Sequence, residues 1–287
     1  MGSLTRLGIS AFLILAPLPC LPGRNATQSP LATPPPTLFS QSAVQVLERD
    51  FSGNSVSYLL LDANSGVLLT SHWENSGRPI PLGSLVKPFT ALAYAGAHDF
   101  RYPIYECRGQ ASGCWQVRPH GKLDIVSAIA VSCNSYFRSL AESVTSEQLL
   151  PVTSVFDLES PESNFTGPSL IGIGEQWRVS PVRMARAYLE LYRRRDQPGV
   201  REILAGMLRS AQHGTGAAVG RALKHSEAFV KTGTAPCTHA VRAPGDGFVV
   251  ALVPAQAPEI VLMVRVHGVP GAKAAETVGR MLSRMEE

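Results

Sequence analysis

Residues 81–95, with the sequence PLGSLVKPFTALAYA, place a serine and a lysine three positions apart at the start of an apolar run. Residues three apart lie on one face of a helix, so Ser84 and Lys87 would point to the same side. A serine hydroxyl becomes a nucleophile with the help of a base, and a lysine can serve when burial or another cation keeps it neutral. The spacing also fits a helix-capping serine followed by a surface lysine. Alone, the stretch leaves both interpretations open.

The segments around this stretch predict an α/β (α+β) fold, in which an antiparallel five-stranded sheet is flanked by helices and joined by a helical subdomain. Before it, VSYLLLD and VLLTSHW are joined by ANSG, which predicts a β-hairpin. After it, residues 99–228 are mostly helical, with the clearest helices at 123–141 and 180–195. Three strand-like runs and a C-terminal amphipathic helix complete the order.

The layer arrangement follows from this order of elements. Residues 40–51 predict a helix capped by Ser40, and residues 84–97 predict a second helix. We expect the helices from the two chain ends to cover one face of the sheet, with the helical subdomain on the other.

The first 39 residues predict export rather than part of the folded domain. In residues 1–23, Arg6 precedes an apolar run that is short for a membrane span, which predicts a signal peptide or N-terminal anchor. Lipidation at Cys20 is a third alternative. Residues 24–39, RNATQSPLATPPPTLF, predict a proline-rich linker, and residues 40–287 a single domain. We therefore expect a periplasmic or other extracytoplasmic location, secreted or tethered to the inner membrane.

The charge pattern excludes nucleic acid as a partner. The net charge is +4 and diffuse, with a pI near 8.9. The one dense cluster, residues 193–195, ends a predicted helix, where cations favour the helix dipole. No stripe of alternating aromatic and basic residues accompanies it.

The cysteines predict a disulfide rather than a metal site. Cys107 and Cys114 flank the short loop RGQASG, and export would favour a bridge between them, with free thiols as the alternative. The chain has no Cys-x-x-Cys and no paired histidines at ligand spacing, so we expect no metal.

Two further motifs occur later in the chain. Ser132 and Asn134 lie in VSCNSYF, where a capping serine and a turn asparagine would be ordinary. Residues 231–234, Lys-Thr-Gly-Thr in FVKTGTA, end a strand-like run, where an exposed edge strand would be ordinary. A glycine within a strand, however, often marks a close approach by another backbone or a ligand.

Together the three motifs resemble those of penicillin-binding proteins and serine β-lactamases. The blocks GSLVKPFTAL, PHGKLDIVSAIAVSCNSYF, IGIGEQWRVSPVRMARAY and VKTGTA carry the resemblance, which extends over residues 57–285. It implies a β-lactamase/transpeptidase-like fold without a cofactor. It also implies peptidoglycan stem peptides ending in D-Ala-D-Ala and β-lactam antibiotics as ligands. Other proteins of cell-wall synthesis are possible partners.

The resemblance also implies catalytic roles. Ser84 would be acylated, Lys87 would take its proton, and Ser132 would relay a proton to the leaving amine. The backbone N–H groups of Ser84 and Thr234 would form an oxyanion hole.

The remaining motif residues are implied to bind substrate. Asn134 would hold the substrate amide, and Lys231 would keep the cleft positive. Thr232 and Thr234 would bind the substrate carboxylate, and Gly233 would leave room for the substrate.

The fate of the acyl-enzyme separates three candidate functions. The leading one is a serine D,D-transpeptidase-type penicillin-binding protein, which transfers the acyl group from Ser84 to an amine or to water. The compact motif spacing resembles class D β-lactamases and β-lactam sensor domains, which remain the alternatives. Class D enzymes, however, usually have an apolar residue where this chain has Asn134, and the Glu-x-x-x-Asn spacing of class A enzymes is missing.

Overall fold

The computed structural model describes Gly2 and residues 37–237 and 245–287. Apart from Gly2, the predicted signal or anchor lies outside the described residues, as does the predicted linker up to residue 36. The last two linker residues, Leu38 and Phe39, already belong to the first helix.

The described part of the chain alternates strands with helices. Its strands are β1 (Val56–Asp62), β2 (Leu68–His72), β3 (Ile80–Pro81), β4 (Tyr105–Cys107), β5 (Gly121–Leu123), β6 (Arg178–Val179), β7 (Phe229–Ala235), β8 (Asp246–Val253) and β9 (Ile260–Val266). Its α-helices are α1 (Leu38–Asp50), α2 (Lys87–Gly96), α3 (Ile125–Ala130), α4 (Asn134–Ala141), α5 (Ser146–Val155), α6 (Gly167–Leu170), α7 (Pro181–Arg193), α8 (Val200–His213), α9 (Ala217–Ala222) and α10 (Gly271–Met285). Short 3₁₀ segments occupy Gly83–Val86 and Gly109–Ser112.

The central sheet confirms the predicted fold class. Five strands in the order β2-β1-β9-β8-β7 pair antiparallel throughout. Every residue of β8 is buried, because β8 lies between two strands and is covered on both faces. β7 lies at one edge of the sheet, where Lys231 is opposite Val250 of β8.

Alternate strand residues pack against two different helical layers, as side chains of a strand point to opposite faces. Leu60 and Val249 belong to the core shared with α1 and α10, the predicted terminal-helix layer. Leu59 and Val250 belong to the larger core formed with the helical subdomain. The predicted two-layer arrangement is therefore present, and α9 joins the terminal-helix layer through Val219.

Helix boundaries differ from the sequence predictions at three places. The first helix is capped by Thr37, whose Oγ1 accepts a 3.1 Å hydrogen bond from the Ser40 N–H, rather than by Ser40. The predicted helix over residues 84–97 begins as a 3₁₀ turn, and α2 starts only at Lys87. The predicted helix over residues 123–141 is divided into α3 and α4. Across residues 37–237 and 245–287, no helix combines the length and apolar composition that a membrane crossing requires.

Candidate active site

A cleft of about 300 Å³ opens between the edge strand β7, the 3₁₀ turn before α2 and the turn between α3 and α4. Six of the predicted site residues line it: Ser84, Ser132, Asn134, Thr232, Gly233 and Thr234. The other two, Lys87 and Lys231, lie behind its wall with 0% of their surface exposed. The fold thus brings together three motifs that are far apart along the chain.

The two lysines converge on Ser132. Lys231 Nζ donates to Ser132 Oγ at 2.9 Å and to its neighbour's carbonyl, Thr232 O, at 2.7 Å. Lys87 Nζ lies 3.4 Å from Ser132 Oγ and donates to Ser132 O at 2.8 Å and to Asn134 Oδ1 at 2.6 Å. With its carbonyl oxygen occupied by Lys87, the Asn134 side chain keeps its amide N–H groups available for an acceptor in the cleft.

Burial dominates the electrostatics of this pair. Desolvation lowers the pKa of Lys87 to about 7, although the nearby thiols of Cys133 and Cys114 act in the opposite direction. Burial also lowers the pKa of Lys231 well below its ordinary value, and the charge of Lys87 adds to that effect. A neutral lysine at neutral pH is the form that can accept a proton.

Ser84 presents its side chain to the cleft. It lies in the first turn leading into α2, where backbone N–H groups have no partner within the helix. Among the residues that the structure describes, none makes a hydrogen bond with Ser84 Oγ. The ammonium group of Lys87 is instead turned toward Ser132 and Asn134.

Two glycines allow close contact between the edge strand β7 and residues 82–86, which carry Ser84 and are called the nucleophile turn below. A Cβ on Gly83, whose φ is +58°, would lie 2.1 Å from Thr234 O and 2.8 Å from Thr234 N. A Cβ on Gly233 would lie 2.5 Å from Leu82 O and 3.1 Å from Leu85 Cγ. The close packing shows that Gly233 leaves room for the nucleophile turn, and the expectation that it also leaves room for substrate stays a prediction. The contact brings the Ser84 and Thr234 backbones to the same end of the cleft.

The threonines of β7 are held by neighbours outside the predicted motifs. Thr232 Oγ1 donates to Thr215 Oγ1 at 2.6 Å, and Thr234 Oγ1 accepts from the Gly271 N–H at 2.9 Å. Because Thr234 Oγ1 already accepts this bond, its exposed hydroxyl can donate its proton to a ligand. Sequence reasoning missed Thr215; its only signal was the Gly-Thr-Gly turn at 214–216.

Other residues that sequence reasoning did not assign to the site complete the cleft walls. Trp115 lines one side, with its indole N–H donating to Val131 O at 3.3 Å. Gly172 and Ile173 line another, in the glycine-rich loop IGIG at residues 171–174, which begins the block IGIGEQWRVSPVRMARAY. A Cβ on Gly172 would lie 2.1 Å from Gly83 O, so this loop also packs against the nucleophile turn.

The turn between α3 and α4 carries strained backbone. Ser132 has φ +51°, a left-handed conformation that costs a residue with a side chain about 1–2 kcal/mol. The hydrogen bond from Lys87 to Ser132 O helps to hold it. This conformation is what divides the predicted helix and turns the Ser132 hydroxyl toward both lysines.

The predicted pairing of Cys107 with Cys114 is not formed. Both are free and buried, and the sulfur of Cys114 lies 3.7 Å from that of Cys133 instead. Spacing along the chain indicates no metal site. In the fold, His120 and the three cysteines bring their ligand atoms within 4.8 Å of one another.

Comparisons with known proteins agree with the predicted family and the predicted fold. Residues 62–283 match the family model described as the penicillin-binding protein transpeptidase domain. No curated protein matches the chain.

Several solved structures share the fold. PBP2 of Pseudomonas aeruginosa, in complex with WCK 5153, aligns with a TM-score of 0.67 and 19% identity over 85% of this chain and 76% of that one. The transpeptidase domain of penicillin-binding protein 3 from Burkholderia pseudomallei aligns with a TM-score of 0.65 and 18% identity, over 86% of this chain and 91% of that one. Helicobacter pylori PBP2, solved with MreC, aligns with a TM-score of 0.67 and 16% identity, over 86% of this chain and 62% of that one.

Proposed function

This chain belongs to the family of penicillin-binding protein transpeptidase domains, and on that premise we propose that it is a serine D,D-transpeptidase-type enzyme. Its substrate would be the peptidoglycan stem peptide ending in D-Ala-D-Ala, outside the cytoplasm, and β-lactams would acylate the same serine. The observation that carries the proposal is the convergence of two buried lysines on Ser132 beside a cleft lined by Ser84.

The first half of the reaction forms an acyl-enzyme. Ser84 Oγ attacks the carbonyl carbon of the penultimate D-Ala, and neutral Lys87 takes the hydroxyl proton. The oxyanion that develops is stabilised by the backbone N–H groups of Ser84 and Thr234. Ser132 passes its proton to the leaving nitrogen and takes in its place the proton that Lys87 received from Ser84. The C–N bond breaks and the terminal D-Ala departs, leaving an ester on Ser84.

The second half returns the free enzyme. An acceptor amine attacks the ester carbonyl and loses a proton to the same Lys87–Ser132 pair. The C–O bond to Ser84 breaks, and this proton passes to Ser84 Oγ, which restores the hydroxyl and neutral Lys87. Transfer to an amine gives a cross-linked peptide, whereas transfer to water gives a shortened one.

The geometry of β7 supports a peptide substrate. An extended peptide can add to an exposed sheet edge through main-chain hydrogen bonds. Here the edge strand lines the cleft along Thr232–Thr234. The exposed Thr234 hydroxyl and the buried Lys231 lie at the end where the substrate carboxylate would bind. A terminal carboxylate there would favour the charged form of Lys231.

Labelling with a fluorescent penicillin tests the nucleophile. We expect the wild type to label covalently and Ser84→Ala to lose the label. Ser139→Ala is the matched control, because Ser139 bonds to Tyr136 O within α4 and does not line the cleft. Labelling of Ser84→Ala at the wild-type rate would refute the proposal.

Product analysis tests the reaction class. The protein is incubated with a synthetic stem peptide ending in D-Ala-D-Ala and a D-amino acid acceptor, and products are separated by mass. Exchange of the terminal D-Ala for the acceptor supports transpeptidation. Rapid, repeated hydrolysis of nitrocefin would instead favour the β-lactamase alternative, and acylation without turnover of any peptide would favour a sensor.

A further inference from the structure

A second cluster of reactive side chains lies directly behind the cleft. Cys107 ends β4, Cys114 follows the short 3₁₀ segment, His120 precedes β5, and Cys133 lies in the turn before α4. Their ligand atoms all lie within 4.8 Å of one another. The three thiols are buried, and His120 is partly buried. None of them has a part in the acylation chemistry described above.

Three distances within the cluster match those between ligands of one tetrahedral ion, and the other ligand-atom pairs lie within 4.8 Å. Zinc bonds of about 2.3 Å to sulfur and about 2.0–2.1 Å to nitrogen place two sulfurs about 3.8 Å apart and a sulfur and a nitrogen about 3.6 Å apart. Cys114 Sγ and Cys133 Sγ are 3.7 Å apart. His120 Nδ1 lies 3.4 Å from Cys107 Sγ and 3.6 Å from Cys114 Sγ.

A disulfide explains these distances less well than a metal ion does. A sulfur–sulfur bond is about 2.0 Å long, and a bridge between any two cysteines would leave the third thiol and the imidazole without a role. Thiols are also weak hydrogen-bond donors, so hydrogen bonding alone gives little reason for two buried thiols to meet one imidazole nitrogen with a third thiol beside them.

A neighbouring hydroxyl supports metal-bound thiolates. Ser135 Oγ donates to Cys107 Sγ at 3.1 Å and lies 3.4 Å from Cys133 Sγ. Hydrogen bonds of this kind orient ligands and are a usual part of metal sites. Ser135 is itself buried, so its hydroxyl depends on these sulfurs for partners.

We propose that Cys107, Cys114, His120 and Cys133 bind a single zinc ion. Three thiolates and one imidazole form one of the ligand sets of structural zinc, and four protein ligands leave no position for substrate. On binding, the three thiols release their protons, and the ion carries no redox change. The softness of three sulfur ligands favours zinc over magnesium or calcium.

The ion would fix two walls of the cleft at once. Cys133 lies between Ser132 and Asn134, so a bond to its sulfur holds the strained turn on which both lysines converge. Cys114 precedes Trp115, which lines the cleft beside that turn and donates its indole N–H to Val131 O. These cysteines would thus be positioning residues for acylation, an effect that rests on the proposed function.

Metal content tests the site independently of activity. The full chain, purified without chelator or added metal, is analysed for metals by mass spectrometry, and we expect about one zinc per chain. Removal of zinc and addition of Co²⁺ should produce the visible and thiolate charge-transfer absorption of tetrahedral sulfur coordination. These measurements need no variant.

The double variant Cys107→Ser/Cys114→Ser should lose zinc and the cobalt spectrum. Cys237→Ser, which removes a thiol outside the cluster, should keep both. In the wild type, removal of zinc should slow acylation by penicillin about tenfold or more, and zinc alone should restore it. Absence of zinc after reconstitution, equal retention by the double variant, or a mapped disulfide among these cysteines would each overturn the proposal.

Discussion

Lys231 Nζ donates a 2.9 Å hydrogen bond to Ser132 Oγ across 99 residues of sequence, linking the edge strand to the turn between α3 and α4. The same hydroxyl lies 3.4 Å from Lys87 Nζ. One oxygen therefore connects the two lysines. A hydroxyl in that position can accept a proton from one group and pass its own to another, which is what departure of an amine requires.

Removal of this hydroxyl should abolish most acylation without unfolding the protein. Ser132→Ala and Ser132→Gly both lack it, and we expect each to be acylated by penicillin about 10²–10⁴-fold more slowly. Because Ser132 has φ +51°, glycine should be more stable than alanine there by about 1–2 kcal/mol. The acylation rate is measured by stopping penicillin-labelling reactions at set times, and the free energy of unfolding is measured with denaturant. Equal unfolding free energies for the two variants would contradict the strained conformation.

Lys87→Met should separate catalysis from folding. Methionine fills similar volume without a charge to bury, so the free energy of unfolding should change by no more than about 1–2 kcal/mol. Acylation should fall about 10²-fold or more, because the base is gone. Lys224→Met is the control, as that side chain is exposed outside the cleft. Acylation of Lys87→Met at the wild-type rate would exclude Lys87 as the base.

The acylation rate should rise with pH and level off above about pH 7. Burial lowers the pKa of Lys87 to about 7, so the neutral form that accepts the proton predominates only above that value. Below it, the rate should fall about tenfold for each pH unit. Lys231, Cys114 and Cys133 are the titratable groups around Lys87.

Pre-steady-state labelling across about pH 5.5–8.5 measures this profile, with circular dichroism as the control for folding. A flat profile over that range, with the protein folded throughout, would show that proton transfer to Lys87 does not limit acylation.

Gly233→Ala should damage both stability and acylation. Its Cβ would lie 2.5 Å from Leu82 O, a backbone atom, so either the strand or the nucleophile turn must shift. We expect a loss of about 1–3 kcal/mol in the free energy of unfolding, with slower acylation. Gly77→Ala, where a Cβ meets nothing within 4 Å, should be close to neutral. A neutral Gly233→Ala would contradict the close packing described here.

Much of the fold was predictable because its signals are local. The apolar runs within β1 and β8 indicate strands from a few neighbouring residues. Each of the three motifs can likewise be recognised from a few consecutive residues. Their meeting at one cleft followed only from the resemblance, since no local pattern specifies a contact such as that between Lys231 and Ser132.

What the sequence could not reveal depends on contacts between distant segments. The left-handed backbone of Ser132 ends α3 through hydrogen bonds from the Ser132 and Cys133 N–H groups to Ile129 O and Ala128 O, and Lys87 adds a bond from a distant segment. Ser132 is not a glycine, so the break between α3 and α4 was missed. The role of Gly233 depends on Leu82, which lies on another element. The cysteine cluster and His120 come together from separate segments, so spacings along the chain could not indicate their proximity.

The most direct test of the central claim is intact-mass spectrometry of the wild type and Ser84→Ala during reaction with benzylpenicillin, followed by digestion. We expect one added penicilloyl group per wild-type chain, located on the peptide that contains Ser84, and none on Ser84→Ala. An unmodified wild type, or an adduct that persists in Ser84→Ala, would contradict it.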